Sequence, residues 1–268
     1  MKNEQHKTGK NFTSLSTKEC EITYKNVLLN SRQSWKSGIS LAEIEDYGRA
    51  MSLAIVSIEE LVKAIVLFLD SKGYRFRKIK GMHRLFKTHQ IRYFIAFAMF
   101  VLSIFGDDLI DFIQSFKNKS TSEIEELKKV FSNKKKLNEK ATRYVTEKLF
   151  QIQIELAWFS NVDSLRQNGF YCDQNELFIS PIEVNKESYL EVLKKLEIVQ
   201  KVASLFIESV NSDDQNVKEP LATMLKSFEE KDYYNRIENL LLSLKNKNLF
   251  EVFSDKIKTV GFMKSVTK

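Results

Sequence analysis

Residues 50–69 read AMSLAIVSIEELVKAIVLFL, a run apolar on nearly every side that carries Glu59, Glu60 and Lys63 near its middle. A helix without a polar face must be wrapped by other elements all round, so this run predicts a central helix from about Leu41 to Leu69. Burying a lone carboxylate is costly, so the two glutamates need partners or raised pKa values. Lys63 lies i,i+4 from Glu59 and i,i+3 from Glu60 and can reach either one. One lysine leaves one acid over, and Arg84, His89, Arg92 or Arg166 could supply its partner.

What wraps this helix is itself helical. Only two prolines and eight glycines occur in 268 residues. Sheets and tight turns use those residues as punctuation, whereas long helices exclude them, so the chain predicts an all-α bundle of long helices. Ser16-x-x-Glu19 is a capping box that opens a first helix ending near Trp35, with a short loop from Lys36 to Ser40 around Gly38. Gly73 closes the central helix. A third helix covers roughly His83 to Phe116, and Ser120-x-x-Glu123 caps a fourth that reaches about Val162 with Leu149, Ile152 and Leu156 in the core. The stretch from Arg166 to Pro181 holds Gly169, Asn175 and Pro181 and predicts a short non-helical, β-hairpin-like segment. A fifth helix spans about Lys186 to Ser212, a sixth about Leu221 to Leu244, and a short one lies near Leu249 to Ile257. The expected organisation is a flexible N-terminus (1–15), a helical domain (16–212) and a C-terminal helical extension (213–268).

The apolar stretch Tyr93–Phe105 is shorter than the roughly 20 residues that cross a bilayer, and Arg92 and Asp107–Asp108 bracket it. We read it as a buried helix, with no membrane span. Cys20 and Cys172 form no CxxC pair and the N-terminus has no apolar leader, which suits a reducing, cytoplasmic setting.

Charge is distributed unevenly. The formal net charge is +7, yet Ser71 to Arg92 alone holds eight Lys/Arg and no Asp or Glu, which leaves −1 for everything else. Lys72, Arg75, Arg77, Lys78, Lys80 and Lys87 are candidates for RNA binding, as such a cluster is the footprint a polyanion would need; a solvated basic loop is the plainer reading. Within the segment, Arg84-x4-His89 pairs a guanidinium that can hold phosphate with an imidazole that can move a 2′-hydroxyl or leaving-group proton, which suits metal-free RNA cleavage. Arg77-x5-His83 has a comparable spacing. There is no P-loop, dinucleotide fingerprint, HExxH or GxSxG, and three histidines with scattered acids offer no metal site, so no cofactor and no metal are expected.

Taken in order, three motifs carry a resemblance. They are Glu59-Glu60-x-x-Lys63; then Phe86-x-x-His89-x-x-Arg92; then Arg166-x-x-Gly169-Phe170-Tyr171-x-Asp173, ending at Ser180-Pro181. Together they resemble the AbiV family of abortive-infection proteins over about residues 20–210, with Gln90, Phe170 and Cys172 as mild departures. The family is similar to the HEPN group of all-helical domains, many of them defence or toxin ribonucleases that act as dimers. The resemblance implies a HEPN-like bundle that restricts phage as a metal-independent ribonuclease or an RNA- or translation-targeting toxin, with Arg84 and His89 as the catalytic pair. His89 would be the general acid/base, Arg84 and Arg92 would bind phosphate, and Glu60 would orient one of them. Glu59, Lys63, Arg166 and Tyr171 would support the site. A homodimer, RNA, and a phage-encoded trigger or antitoxin are the implied partners. The alternative is a non-catalytic protein that docks RNA, ribosome or a phage product through the basic segment.

Overall fold

A computed structural model describes residues 11–117, 134–174, 178–213, 231–244 and 251. The described residues form α1 (Thr17–Glu43), α2 (Tyr47–Ser71), α3 (His89–Lys117), α4 (Lys134–Asn168), α5 (Lys186–Asn211) and α6 (Lys231–Ser243). Between α4 and α5 lies a minimal antiparallel pair, β1 (Asp173–Gln174) and β2 (Phe178–Ile179), with Asp173 opposite Ile179 and Gln174 opposite Phe178. The fold is all-α with one short hairpin, as the scarcity of proline and glycine requires. The proposed cap at Ser120–Glu123, the side chain of Leu149, residues 221–230 and most of the last helix near 249–257 lie outside the described residues.

The central helix is α2. Eighteen of its 25 residues are buried, and it packs against α1, α3, α4 and α5. Its C-terminus is closed by a Schellman motif: Tyr74 N–H donates to the Leu69 carbonyl and Gly73 N–H to that of Asp70, with Gly73 at φ +93°. α1 and α2 form a helical hairpin held by reciprocal hydrogen bonds, Ser31 Oγ to the Ser57 carbonyl and Ser57 Oγ to the Ser31 carbonyl, both 2.8 Å.

Two expected boundaries move. The capping box at Ser16 and Glu19 is present, but α1 does not stop near Trp35; it runs through the supposed loop to Glu43, and the turn to α2 falls at Ile44–Asp46. Gly38 sits inside α1, where a Cβ would come within 2.9 Å of the Ala50 carbonyl oxygen. This glycine marks close helix approach, not a loop. The second move concerns α3, which begins at His89 and not near His83. Residues 82–86 make a separate 3-10 turn after another at Phe76–Lys78. Gly81, at φ +88°, starts that turn and fixes a kink the hydrophobic periodicity does not register.

The apolar stretch after Arg92 is the first half of α3, and Ile91, Ala96, Phe97 and Phe100 lie in the core. Phe97 and Phe100 meet Phe159 of α4 at centroid distances of 5.7 and 5.6 Å. Among the described residues no helix is long and apolar enough to cross a membrane.

Candidate functional site

Glu59 faces the junction of α2, α3 and α4 and its side chain is 3% exposed. Four groups converge on its carboxylate. Arg92 Nη1 donates to Oε2 at 2.5 Å, His89 Nδ1 lies 2.8 Å from Oε1, Tyr93 O–H donates to Oε1, and Arg166 Nε stands 3.6 Å away. His89, Arg92 and Tyr93 occupy the first turns of α3, where i,i+3 and i,i+4 spacing puts them on one face. From α4, Asp163 receives Arg166 Nε and Nη2 at 3.1 and 2.9 Å and Gln167 Nε2 at 2.9 Å, and Tyr93 O–H lies 3.4 Å from its Oδ1. One polar network therefore ties three helices together.

Its electrostatics are balanced. Two carboxylates, Glu59 and Asp163, meet two guanidiniums, Arg92 and Arg166. Burial pushes the Glu59 carboxyl up, but the His89 hydrogen bond, the Arg92 charge and the Tyr93 hydroxyl outweigh it and hold the group below the usual carboxylate range. Tyr93 is driven far above the ordinary phenol range by burial and then by the Glu59 charge, so it stays protonated and donates. The Arg166 guanidinium would be weakened by burial, yet its bonds to Asp163 raise it.

His89 is the rim of this network. Its side chain is 38% exposed while Arg92 is 7% exposed, and its ring stacks at 6.2 Å on Tyr93. With Nδ1 fixed on Glu59, Nε2 is the nitrogen available to a visiting group. A carboxylate at Nδ1 fixes the orientation and the tautomer of the ring. Glu59, His89 and Asp163 also place one oxygen or nitrogen each within 4.8 Å of one another, the spacing of a metal-ligand set. A divalent cation there would sit against Arg92 and Arg166 and compete with donors already on the same oxygens, so the donor set suits hydrogen bonding better than metal.

Residues 19–203 match the family model described as HEPN_AbiV, AbiV. The chain belongs to the AbiV family. The match brings the general association with abortive infection and with HEPN domains, and comparisons with curated proteins and with solved structures returned no match. α6 falls outside the matched residues.

Against this AbiV framework the predicted site residues separate into groups. Glu59, His89, Arg92 and Arg166 come together. Glu60 does not join them: it is the acid that pairs with Lys63. Arg92 is buried on Glu59, so its Nη1 already holds a carboxylate partner. Arg84 is half-buried on the 3-10 turn and donates through Nη1 to the carbonyl of Leu241 at 2.9 Å, while His89 opens α3 with a different partner. The two do not share one helix, because the chain breaks at Lys87–Thr88. Tyr171 is 63% exposed, with its ring in edge contact with that of Phe170.

The other AbiV motif residues act on packing. Ser52 Oγ donates to the Arg166 carbonyl at 2.7 Å. A Cβ at Gly169 would collide with the Gly48 carbonyl and the Ser52 hydroxyl, and one at Gly48 would collide with the backbone of Pro181. Glycine in Arg166-x-x-Gly169 and the Ser180-Pro181 terminus thus let the two segments that flank the hairpin lie directly on α2, which brings Arg166 to Glu59.

The basic segment also divides. Lys72, Arg75, Lys78, Lys80 and Lys87 are exposed. Arg77 is not part of that surface. It forms a buried ion pair with Asp70 and donates to the carbonyls of Phe12 and Leu15, the latter at 2.9 Å. Asp70, one residue before the acid-free window, is the group whose absence from that window made Arg77 look unpaired. Tyr93 and Asp163 were also missed: a tyrosine inside an apolar run carries no sequence signal, while Asp163-x-x-Arg166 at i,i+3 was a readable one.

Proposed function

We propose that this AbiV family member is an abortive-infection effector that acts on RNA as a metal-independent endoribonuclease, with His89 as the proton-transferring group and Glu59 as its positioning residue. One observation carries the reading: an imidazole at the surface, held through Nδ1 by a buried carboxylate to which Arg92 and Tyr93 also donate and which Arg166 faces at 3.6 Å. In this arrangement Nε2 takes the 2′-hydroxyl proton or delivers one to the departing 5′-oxygen, while a neighbouring cation neutralises the phosphate. Arg84 and the exposed Lys87 are the nearest such cations in sequence. A homodimer would bring a second copy of the same groups.

A second reading, docking of RNA without cleavage, draws on a different observation. Five cations of the basic segment are exposed, whereas the guanidinium of Arg84 is already engaged with Leu241. His89→Gln separates the two. General acid–base catalysis contributes about 10²–10⁴-fold, so the cleavage reading expects at least a hundredfold loss of RNA cleavage and loss of phage restriction by a folded variant. Full restriction by that variant would leave docking as the function.

A further inference from the structure

α6 lies on the basic segment through contacts of a particular chemistry. Leu241 is in the last turn of α6, whose backbone carbonyls carry the negative end of the helix dipole. Its carbonyl takes Nη1 of Arg84 at 2.9 Å. One turn earlier, Glu238 Oε1 accepts the backbone N–H of Lys80 at 3.1 Å. Leu241 and Leu244 are fully buried, and a Cβ placed on Gly81 would lie 3.3 Å from the Leu241 Cβ. A guanidinium and a backbone N–H are the donors that bind phosphate oxygens, and here a carbonyl and a carboxylate occupy both.

We infer that α6 is a built-in cover that imitates a polyanion on residues 80–84 and must leave before RNA can take its place. The apolar seat of Leu241 beside Gly81 holds the cover, and the acceptors of Glu238 and Leu241 fill the phosphate positions. The cover lies outside residues 19–203, which match the family model, and it keeps the effector silent until it is displaced. The inference rests on the RNA reading above.

The Gly81–Leu241 approach offers a direct test. The 3.3 Å separation is close to the roughly 3.5–4.5 Å Cβ spacing of disulfides, so Gly81→Cys with Leu241→Cys, on a Cys172→Ser background, should lock α6 in place when oxidised. Binding of a fluorescein-labelled oligouridine is then read by anisotropy on one preparation before and after reduction. Both forms carry the same substitutions, so strain at position 81 cancels. The expectation is affinity at least about tenfold weaker in the oxidised form, the equivalent of one charged hydrogen bond, restored by reductant. Equal affinity in both forms overturns the cover. Glu238→Gln provides an independent reading without a disulfide: it should tighten binding several-fold, whereas Glu43→Gln, on an exposed end of α1, should not. Identical behaviour of those two variants also overturns it. If wild type and all variants fail to bind, the RNA reading itself falls, a result distinct from a locked form that binds as well as the unlocked one.

Discussion

Replacing Glu59 by Gln tests whether the network at the helix junction is a charge network or merely a set of hydrogen bonds. The side chain keeps its size, but one fixed negative charge disappears from a site where Arg92 is 7% exposed. Removing one partner of a buried ion pair costs about 3–5 kcal/mol, and the amide can retain a hydrogen bond to Arg92 or Tyr93, so about 2–4 kcal/mol is expected at pH 7. For a chain of this size that corresponds to a fall in Tm of roughly 5–15 °C. The pH dependence carries a sign. Because the folded-state pKa of Glu59 is depressed, its stabilisation is complete above the unfolded value of about 4.3 and is lost as pH falls through the folded value. The stability gap between wild type and Glu59→Gln should therefore be wide at pH 7 and shrink below about pH 4. Titration of Asp163 and the other acids is common to both proteins and drops out of the difference. Urea unfolding followed by circular dichroism at several pH values measures it. A gap that is small at pH 7, or that stays constant into the acid range, would refute the charge argument.

Three further outcomes can be checked. Arg77→Ser should destabilise the fold by about 3–5 kcal/mol in thermal or urea unfolding, since it leaves Asp70 buried without its guanidinium. Arg75→Ser, Lys78→Ser and Lys80→Ser should each change stability by no more than about 0.5 kcal/mol, and combined they should weaken oligonucleotide binding and reduce its salt slope by up to about 0.7 per lost phosphate contact; an unchanged slope removes the segment as a footprint. Gly169→Ala should lower stability by about 1–3 kcal/mol in the same unfolding assay, because the added methyl meets the Gly48 carbonyl and Ser52 and one helix or the hairpin has to shift.

The pattern of long helices, the burial of most of the segment at 50–69, the capping box at Ser16 and the glycine closure at Gly73 were legible in the chain itself. They depend on residues within a turn or two of one another: periodicity, caps, and the exclusion of proline and glycine. The need for a second partner at Glu59 or Glu60 was also legible, because charge arithmetic inside an apolar helix is a local matter. Which acid takes which partner was not. Adjacent residues on a helix point about 100° apart, so the choice belongs to the faces that α3 and α4 present, and those gave Glu59 to His89, Arg92, Tyr93 and Arg166 and left Glu60 to Lys63. The same holds for the cations between 71 and 92. A count of charges treats them alike, but folding back through Arg75 at φ +51° buries Arg77 on Asp70, and a helix end more than 150 residues later takes Arg84. Long-range partners decide whether a basic side chain is a surface charge or a structural bond, because burial and pairing depend on where distant segments come to rest and not on what stands beside the residue in the chain.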